Sequence, residues 1–391
     1  MRMSSFLRYT FVAGMLILSG FTVPAGAVPL VGDYTVGSDP GDDYATLGAA
    51  VSDLNNEGIS GVVRFVLLEE IFTEQVTIGE FTRAGGAEDA QVIFRGRSFT
   101  QRPTLQYAAT GTADNWVVRI EQERGLRFEN IIFRATGSAE FGKIIFLETP
   151  SYDPVEDLVF ESCEFNGLTD EADPEAVMVY LDPTLAYVGE GIQFLNNRFT
   201  EGAMALHLIA SAASNGETQM RVQGNTFVDQ NAFGVEQAAI VVDYVDHLIL
   251  EGNTITNSNG LARAIHIDHA EDFTIRGNTI LFSGIGFISA GIVILKDGEG
   301  VDAPAQISNN IIAVGRSALE VNGDDIEIQH NTLIGRGTTY FDPVLNVRSS
   351  AWNARVRNNI ITQTSGKLCF MLSVEATTDH NNYFCGIDGT T

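Results

Sequence analysis

Apolar and polar residues alternate in a short phrase that recurs along most of the chain. The phrase has eight positions: apolar, any, apolar, any, then Gly, Asn or His, then Asn, any and apolar. Alternation with a period of two indicates β-strands, because successive side chains of a strand point to opposite faces. Clear copies occupy residues 192–199, 220–227, 248–255, 273–280, 305–312, 326–333 and 354–361, and weaker ones 126–133, 158–165 and 376–383.

A second strand pattern precedes every copy, for example VMVYLD at 177–182 and AIHID at 264–268. Successive copies are separated by intervals of 21 to 34 residues, which indicates a fixed corner joined by loops of variable length. Tetratricopeptide and ankyrin arrays keep a fixed period and a helical pattern, so they are excluded. Two or three short strands per coil predict an all-β parallel solenoid in which like strands stack into long sheets.

Asparagine dominates the sixth position of the phrase, which is predicted to point into the coil. Side-chain amides stacked there can bond to their neighbours one coil above and below, whereas a buried amide without a partner costs about 1–3 kcal/mol. We therefore expect an asparagine ladder with a structural role. Its members are Asn197, Asn225, Asn253, Asn278, Asn310, Asn331, Asn359 and Asn381. The fifth position holds mostly Gly or Asn, which accept the left-handed backbone of a sharp turn.

The amino-terminal residues divide into two predicted segments. Residues 1–27 have the basic start, short apolar run and Ala-Gly-Ala end of a cleaved signal peptide, which predicts export to the outside or the cell surface. Residues 28–60 are predicted to form a cap with a short amphipathic helix that begins at Asp42 or Asp43 and ends at Gly58. Its predicted apolar face consists of Tyr44, Leu47, Val51 and Leu54. A solenoid of about 11–12 coils would fill residues 61–391, and whether it is truncated at the carboxyl end stays open.

Through the repeated phrase and its asparagines, the chain resembles the secreted right-handed parallel β-helix proteins of the pectate-lyase-like superfamily, over about residues 61–385. Residues 31–61 also resemble the lead-in of large bacterial surface proteins that carry such repeats. The resemblance implies a right-handed parallel β-helix and a polysaccharide or cell-surface partner. It does not extend to the enzyme motifs: Asp324-Asp325 lacks the accompanying Gly-His-Gly and Arg-x-Lys, and the calcium-binding G-G-x-G-x-D repeat is absent.

Composition narrows the range of partners. The chain has 50 acidic and 23 basic residues and a formal charge of −27. A surface this negative repels phosphate backbones and anionic lipid, and no apolar run reaches the roughly 20 residues of a membrane-spanning helix, so nucleic-acid binding and membrane insertion are excluded. The charge also argues against acidic glycans unless a cation bridges them. Of the three cysteines, Cys369 and Cys385 either form a disulfide or are buried separately.

Candidate chemistry lies on the strand that precedes each corner, where outward positions are predicted to face solvent. Asp243 and Asp268 are one coil apart, so their expected separation is close to the roughly 5–5.5 Å between the two carboxyl groups of retaining glycosidases. Asp182 and Asp243 are two coils apart, with an expected separation of about 10 Å. His207 and His266 flank the same stretch as candidate proton carriers or ligands for substrate hydroxyls. These five residues form the candidate catalytic set.

Other outward residues are candidates for binding. Tyr180 offers an aromatic face for a sugar ring, and Glu320 and Lys296 are further candidates. The three aspartates have the oxygen ligands that Ca²⁺ prefers, so calcium is a possible cofactor. The remaining histidines fall at corners or loops, where structural roles are expected: His247, His269, His330 and His380.

Three functions fit these observations. The favoured hypothesis is a non-catalytic, exported surface module that binds a glycan or a protein partner. The alternative is a polysaccharide lyase or glycoside hydrolase that uses the outward column around Asp182, Asp243 and Asp268. The third is a structural spacer within a longer surface protein.

Overall fold

A computed structural model describes most of the chain and places it in long parallel sheets. The only α-helix among these residues is Leu47–Glu57, and a single 3₁₀ turn covers Thr112–Asp114. The predicted signal peptide, residues 1–27, lies outside the described residues. The described ranges are 28–121, 124–137, 141–148, 155–168, 176–181, 191–209, 219–231, 237–258, 262–270, 272–283, 290–295, 304–336, 343–348, 353–364, 368–372 and 376–385.

The strands of the described residues form three parallel sheets. Sheet 1 has 13 strands: Leu30–Val36, Ile59–Leu67, Val92–Gly96, Leu126–Glu129, Val159–Glu161, Ile192–Leu195, Met220–Gln223, Leu248–Glu251, Thr274–Arg276, Ala305–Ser308, Ile326–Gln329, Arg355–Arg357 and Thr377–Asp379. Sheet 2 has 12: Ile71–Thr73, Thr104–Tyr107, Ile132–Ala135, Glu164–Asn166, Arg198–Thr200, Thr226–Val228, Thr254–Asn257, Thr279–Phe282, Ile311–Val314, Thr332–Gly335, Ile360–Gln363 and Asn382–Cys385. Sheet 3 has 11: Val76–Ile78, Val118–Glu121, Ile145–Glu148, Val177–Leu181, Met204–Ile209, Ile240–Asp243, Arg263–Asp268, Ala290–Leu295, Leu319–Asn322, Leu345–Val347 and Phe370–Met371.

Each coil passes from sheet 3 to sheet 1, turns the corner and continues in sheet 2. One coil, for example, consists of Ile240–Asp243, Leu248–Glu251 and Thr254–Asn257. Every strand pairs in parallel with the equivalent strand of the next coil, so the predicted parallel solenoid is confirmed. At the strand spacing of about 4.8 Å, the 13 strands of sheet 1 span about 58 Å.

The corner between sheets 1 and 2 uses a left-handed residue at the fifth position of the phrase. The φ angles there include +67° at Gly224, +55° at Asn196 and +59° at His330. A left-handed residue reverses the local direction of the chain within one position, which brings the next residue into the interior. The prediction of a left-handed corner is confirmed.

Inward side chains of consecutive coils stack on one another to form the core. In sheet 1 the rings of Phe94 and Phe128 are parallel to within 12°, with centroids 5.3 Å apart. In sheet 2 the rings of Phe199 and Phe227 are parallel to within 5°. Beyond Phe194 in sheet 1 and Phe227 in sheet 2 the same inward columns hold aliphatic residues, such as Leu250 and Ile255 respectively. Stacked rings bury large apolar areas in every coil, so each coil depends on its neighbours for its core.

The asparagines at the sixth position bond to one another through the interior. Asn225 Nδ2 donates to Asn253 Oδ1 (3.1 Å) and to the Phe194 carbonyl (2.8 Å). Asn253 Oδ1 also accepts the backbone N–H of Asn225 at 2.9 Å, so each amide uses both donors and both acceptor positions. The side-chain bonds from one coil to the next join Asn197, Asn225, Asn253, Asn278, Asn310, Asn331, Asn359 and Asn381.

Cys163 stands at the ladder position one coil before Asn197. Its backbone N–H donates to Asn197 Oδ1 at 2.8 Å, and its thiol is fully buried. Burial raises the pKa of the Cys163 thiol to about 12, which keeps it protonated and unreactive.

The helix packs beside the first coils and begins later than predicted. Thr46, rather than Asp42 or Asp43, caps its first turn, because Thr46 Oγ1 accepts the Ala49 N–H at 3.1 Å. Glu74 from a neighbouring coil accepts the N–H groups of Leu47 and Gly48, and Asp43 bonds to Thr35 instead. The buried face contains Leu47, Ala50, Val51 and Leu54, and Gly58 ends the helix at φ +69°. Tyr44 precedes the helix and packs against the ring of Phe65.

At the other end of the described chain, Cys369 and Cys385 form a disulfide with a Cα–Cα distance of 5.7 Å. This answers the alternative that the sequence left open. Within the described segments, no helix has the length and apolar character needed to cross a membrane.

Replacing Asn253 by Ala tests the amide bonds directly. The change leaves the Asn225 backbone N–H without its acceptor and removes one of the two bonds of Asn225 Nδ2 and the side-chain donor to Asn278 Oδ1. Because an unsatisfied buried group costs about 1–3 kcal/mol, we expect the free energy of unfolding to fall by at least about 2 kcal/mol. Chemical denaturation measures it. Asn56→Ala is the matched control, because Asn56 is exposed on the helix. Equal stability of the two variants would contradict a structural role for the amide bonds.

Candidate functional site

The outer face of sheet 3 carries the sequence-predicted site, and register shows which residues meet. Tyr180 pairs with His207, and His207 pairs with Val241, which in turn pairs with His266. The two histidines are therefore two coils apart. Asp243 pairs directly with Asp268 on the next coil, as predicted. Asp182 and Lys296 lie outside the described residues.

Asp243 and Asp268 converge on a third residue, His269. Its Nδ1 lies 2.9 Å from Asp243 Oδ1 and 3.2 Å from Asp268 Oδ1. The backbone N–H of His269 also donates to Asp268 Oδ1 at 3.0 Å. Because carboxylates only accept, these contacts place a proton on Nδ1. We call these three residues the Asp–His–Asp cluster; all are partly exposed, at 20% (Asp243), 26% (Asp268) and 33% (His269).

The turn between sheets 3 and 1 orients this imidazole. His269 and Tyr244 occupy equivalent positions after their strands, and both have left-handed backbones, with φ of +45° and +54°. Their rings stack with centroids 4.3 Å apart and planes within 4°. The stacked Tyr244 fixes the plane of the imidazole, so Nδ1 points back to the two carboxylates.

The cluster has the donor set of a cation site. One ligand atom from each of its residues lies within 4.8 Å of the other two. Two carboxylates and one imidazole suit a transition metal better than Ca²⁺, which prefers oxygen ligands alone. The imidazole already bonds to both carboxylates, so the cluster is also satisfied as a hydrogen-bonded unit. Calcium held by Asp182, Asp243 and Asp268 stays a prediction, since Asp182 is outside the described residues.

An aromatic strip formed by Trp116, Phe146, Tyr180 and His207 lies on the same face. All four side chains are partly exposed, and the rings of Tyr180 and His207 are parallel to within 7° at 5.2 Å. Phe146 packs against Tyr180 from the opposite side at 5.9 Å, and Lys143 Nζ lies 4.2 Å from the Tyr180 centroid. Both ring faces of Tyr180 thus have neighbours, which leaves the ring edge as its exposed part; sugar binding at Tyr180 stays a prediction.

Charged side chains border the strip on the coils that carry Trp116 and Phe146. Arg119 bonds to Glu121 at 2.8 Å and to Glu148, and its guanidinium lies 5.2 Å from the Trp116 ring centroid. Glu121 and Glu148 pair in register and occupy the outward column that continues toward Asp243. Arg119 therefore neutralises part of this column.

Two predicted site residues are buried rather than solvent-facing. His266 is 4% exposed and Glu320 is 8% exposed, although both occupy outward positions of sheet 3. Val241 and Val293, in the same column, are also buried, so this part of the sheet is covered on its outer side as well. A polysaccharide at the surface therefore has little access to His266 or Glu320. Val293 also resolves the register of GIVILK, whose outward position it holds.

Burial sets the protonation of the two predicted histidines. It lowers the pKa of His207 to about 4, with a further contribution from the Lys143 charge. It lowers the pKa of His266 to about 4 as well, with the Arg263 guanidinium as the second cause. Arg263 Nη1 lies 3.0 Å from His266 Nδ1, which then accepts. Both imidazoles are neutral near pH 7, which suits hydrogen bonding rather than proton transfer at that pH.

Sequence reasoning missed His269, because its position at a corner suggested a structural role. The one local signal is the Asp-His pair at 268–269, in which a titratable residue follows directly on an outward aspartate. By contrast, His330 and His380 occupy left-handed corners between sheets 1 and 2, away from the cluster. His247, which precedes a strand of sheet 1, has its Nδ1 3.8 Å from Asp272 Oδ2.

We expect stability to fall as pH decreases from 6.5 toward 4. In that window the unfolded histidines take up protons and the folded ones do not, so each lowers the free energy of unfolding by up to about 1.4 kcal/mol per pH unit. Thermal unfolding between pH 6.5 and 5 measures this. A His207→Phe, His266→Gln double variant should flatten the slope. His380→Gln, at a side chain 76% exposed, should not; an unchanged slope in the double variant would refute the assignment.

Comparison with known proteins places the fold. No protein-family model and no curated protein matches the chain. Among solved structures it is similar to the Dettilon tailspike protein (gp208), with 11% identity, a TM-score of 0.54 and coverage of 90% of this chain and 68% of that one. It is also similar to a GH136 lacto-N-biosidase from Eubacterium ramulus, with 10% identity, a TM-score of 0.53 and the same coverage. With its three parallel sheets, the chain has the parallel β-helix fold.

Proposed function

We propose that this protein binds a glycan chain along the outer face of sheet 3 without cleaving it. The observation that carries the proposal is the alignment, on one sheet face, of the aromatic strip with the Asp–His–Asp cluster. Ring edges offer apolar contact, while carboxylates and imidazoles offer acceptors and donors for hydroxyl groups. A lacto-N-biosidase of the same fold is consistent with a carbohydrate partner.

The shape of this face favours an extended ligand. Phe146 and Asp268 lie on strands separated by four coil-to-coil steps, which is about 19 Å at the usual strand spacing. The column of Tyr180 and His207 lies beside the column of Asp243 and Asp268, two residues apart along each strand, so a chain that lies parallel to the solenoid axis and covers both columns meets strip and cluster. A small metabolite would contact only one of them.

The geometry of the cluster supports binding over hydrolysis. A retaining glycosidase keeps its two carboxyl groups about 5–5.5 Å apart, with the scissile bond between them. Here Asp243 and Asp268 accept from the same imidazole nitrogen, so His269 fills the space between them. His207 and His266, the two histidines of the predicted catalytic set, are neutral near pH 7, and His266 is buried.

One observation favours a carbohydrate-active enzyme as the second candidate. Asp243 and Asp268 are in register on neighbouring coils and remain partly exposed, which is the arrangement of a carboxylate pair. In this alternative, ligand binding displaces His269 and leaves one carboxyl as acid and the other as nucleophile or base.

The remaining features are assigned to architecture and export. The amide bonds act as an asparagine ladder that fixes coil spacing, and the helix Leu47–Glu57 caps the first coil by covering apolar side chains. Residues 1–27 direct export, so the glycan is extracellular or belongs to a cell surface. The acidic surface favours a neutral glycan on sheet 3.

Binding to a panel of neutral, cationic and acidic polysaccharides, measured by affinity electrophoresis and calorimetry, tests the proposal. We expect a neutral glycan to bind and Asp243→Asn to weaken it by about 10- to 100-fold, since a hydrogen bond to a charged group contributes about 1.5–3 kcal/mol. Asp33→Asn on sheet 1, at a side chain 68% exposed, is the matched control and should bind as the wild type does.

The same samples separate the other hypotheses. Release of reducing or unsaturated ends that disappears in Asp243→Asn would show an enzyme. Absence of binding to every glycan, with intact folding, would contradict the proposal and leave the structural spacer. Equal losses in Asp243→Asn and Asp33→Asn would show that binding does not depend on this face.

A further inference from the structure

A second cleft lies on the outer face of sheet 1, where no function was predicted. It has a volume of about 560 Å³ and crosses three coils. Its polar lining consists of Gln193, Gln219, Arg221, Gln223 and His247, which we call the glutamine cleft. Three of the 13 glutamines of the chain meet here. None of the described residues that line it is a carboxylate, in a chain with 50 acidic residues.

Register explains how these side chains come together. Gln193 pairs with Arg221, and Leu195 pairs with Gln223, so two outward columns run side by side across the cleft. Arg221 in turn pairs with Ile249 on the third coil. These five residues of the cleft are therefore held on strands, whose side chains are positioned more precisely than those of loops.

Arg221 differs from five other arginines of this sheet face in what it bonds to. Within the part of the chain that the structure describes, its guanidinium bonds to the Gln223 side-chain oxygen at 3.1 Å and to no carboxylate. The paired arginines and their carboxylates are Arg64–Asp33, Arg127–Glu129 and Glu161, Arg276–Glu251, and Arg355 and Arg357–Glu327. The cleft thus interrupts a series of ion pairs with one cation among neutral amides.

This chemistry matches a particular kind of ligand. A guanidinium binds a carboxylate through two parallel hydrogen bonds, and Gln223 occupies only one of the five N–H donors of Arg221. Amide side chains both donate to and accept from hydroxyl groups. Leu195 and Ile249 add partly exposed apolar surface at the base. A sugar that carries a carboxylate presents all three kinds of group.

Neighbouring ion pairs favour a ligand with one carboxylate. Glu161 precedes the cleft in the column of Leu195 and Gln223, and Glu251 follows it. Both glutamates are already paired, with Arg127 and Arg276, so among the described lining residues Arg221 is the one guanidinium that a ligand carboxylate meets. The three coils span about 10 Å, which suits a short saccharide.

We propose that the glutamine cleft binds a short saccharide with a single carboxylate, through Arg221 and the three glutamines. The site is separate from the glycan-binding face of sheet 3, and it does not rest on the function proposed there. It adds recognition of an acidic sugar to a protein whose overall charge disfavours acidic polymers.

Calorimetry with 3′-sialyllactose, its methyl ester and neutral lactose tests the proposal on the folded wild-type chain. We expect binding of the acid, with at least tenfold weaker binding of the methyl ester and of lactose. Arg221→Gln should weaken binding of the acid at least tenfold. Arg221→Lys should give an intermediate affinity, because lysine keeps the positive charge but lacks the two parallel N–H donors of the guanidinium. Thermal unfolding confirms that each variant is folded.

Two controls separate this site from the rest of the surface. Arg357→Gln removes a paired arginine of the same sheet face, and Asp243→Asn alters the sheet 3 cluster; neither should change binding. Equal binding of acid and methyl ester would overturn the role of the carboxylate. No binding of the acid, or a loss with Asp243→Asn but not with Arg221→Gln, would overturn the site itself.

Discussion

A side-chain amide buried inside a coil has two donors and two acceptor positions, and this solenoid satisfies all of them between coils. The oxygen of Asn253 accepts the backbone N–H and the side-chain N–H of Asn225, while its own nitrogen donates to Asn278. Because a buried amide without partners is costly, each coil is held at one spacing and one register relative to the next. All columns of side chains, inside and outside, depend on that register.

Inside the solenoid, register produces continuity. Phenylalanines stack on phenylalanines in sheets 1 and 2, and aliphatic residues continue the same columns in later coils. Where an asparagine is replaced, as at Cys163, the backbone still donates to the next amide, so the series starts without an orphaned acceptor. The interior therefore tolerates variation of loops, whose lengths change the intervals but not the stacking.

On the outer faces of the solenoid, the same register brings polar and aromatic side chains of different coils together. It aligns Asp243 with Asp268, and Tyr180 with His207, although these residues are far apart in sequence. On sheet 1 it aligns Gln193 with Arg221 between stretches of ion pairs. In both places the usual pairing of opposite charges is interrupted: two carboxylates share one imidazole on sheet 3, and one guanidinium meets amides on sheet 1.

The sequence by itself determined the solenoid, the inward asparagines, the left-handed corners and the adjacency of Asp243 and Asp268. These follow from local rules: a period of two assigns the faces of a strand, and glycine or asparagine marks the turn. The tertiary structure alone decided that His269 joins the aspartates, that His266 and Glu320 are buried, that both faces of the Tyr180 ring are occupied, and that Thr46 with Glu74 caps the helix. Alternation along a strand tells which side of the sheet a residue faces, but what packs over that side comes from other coils, which no local pattern encodes.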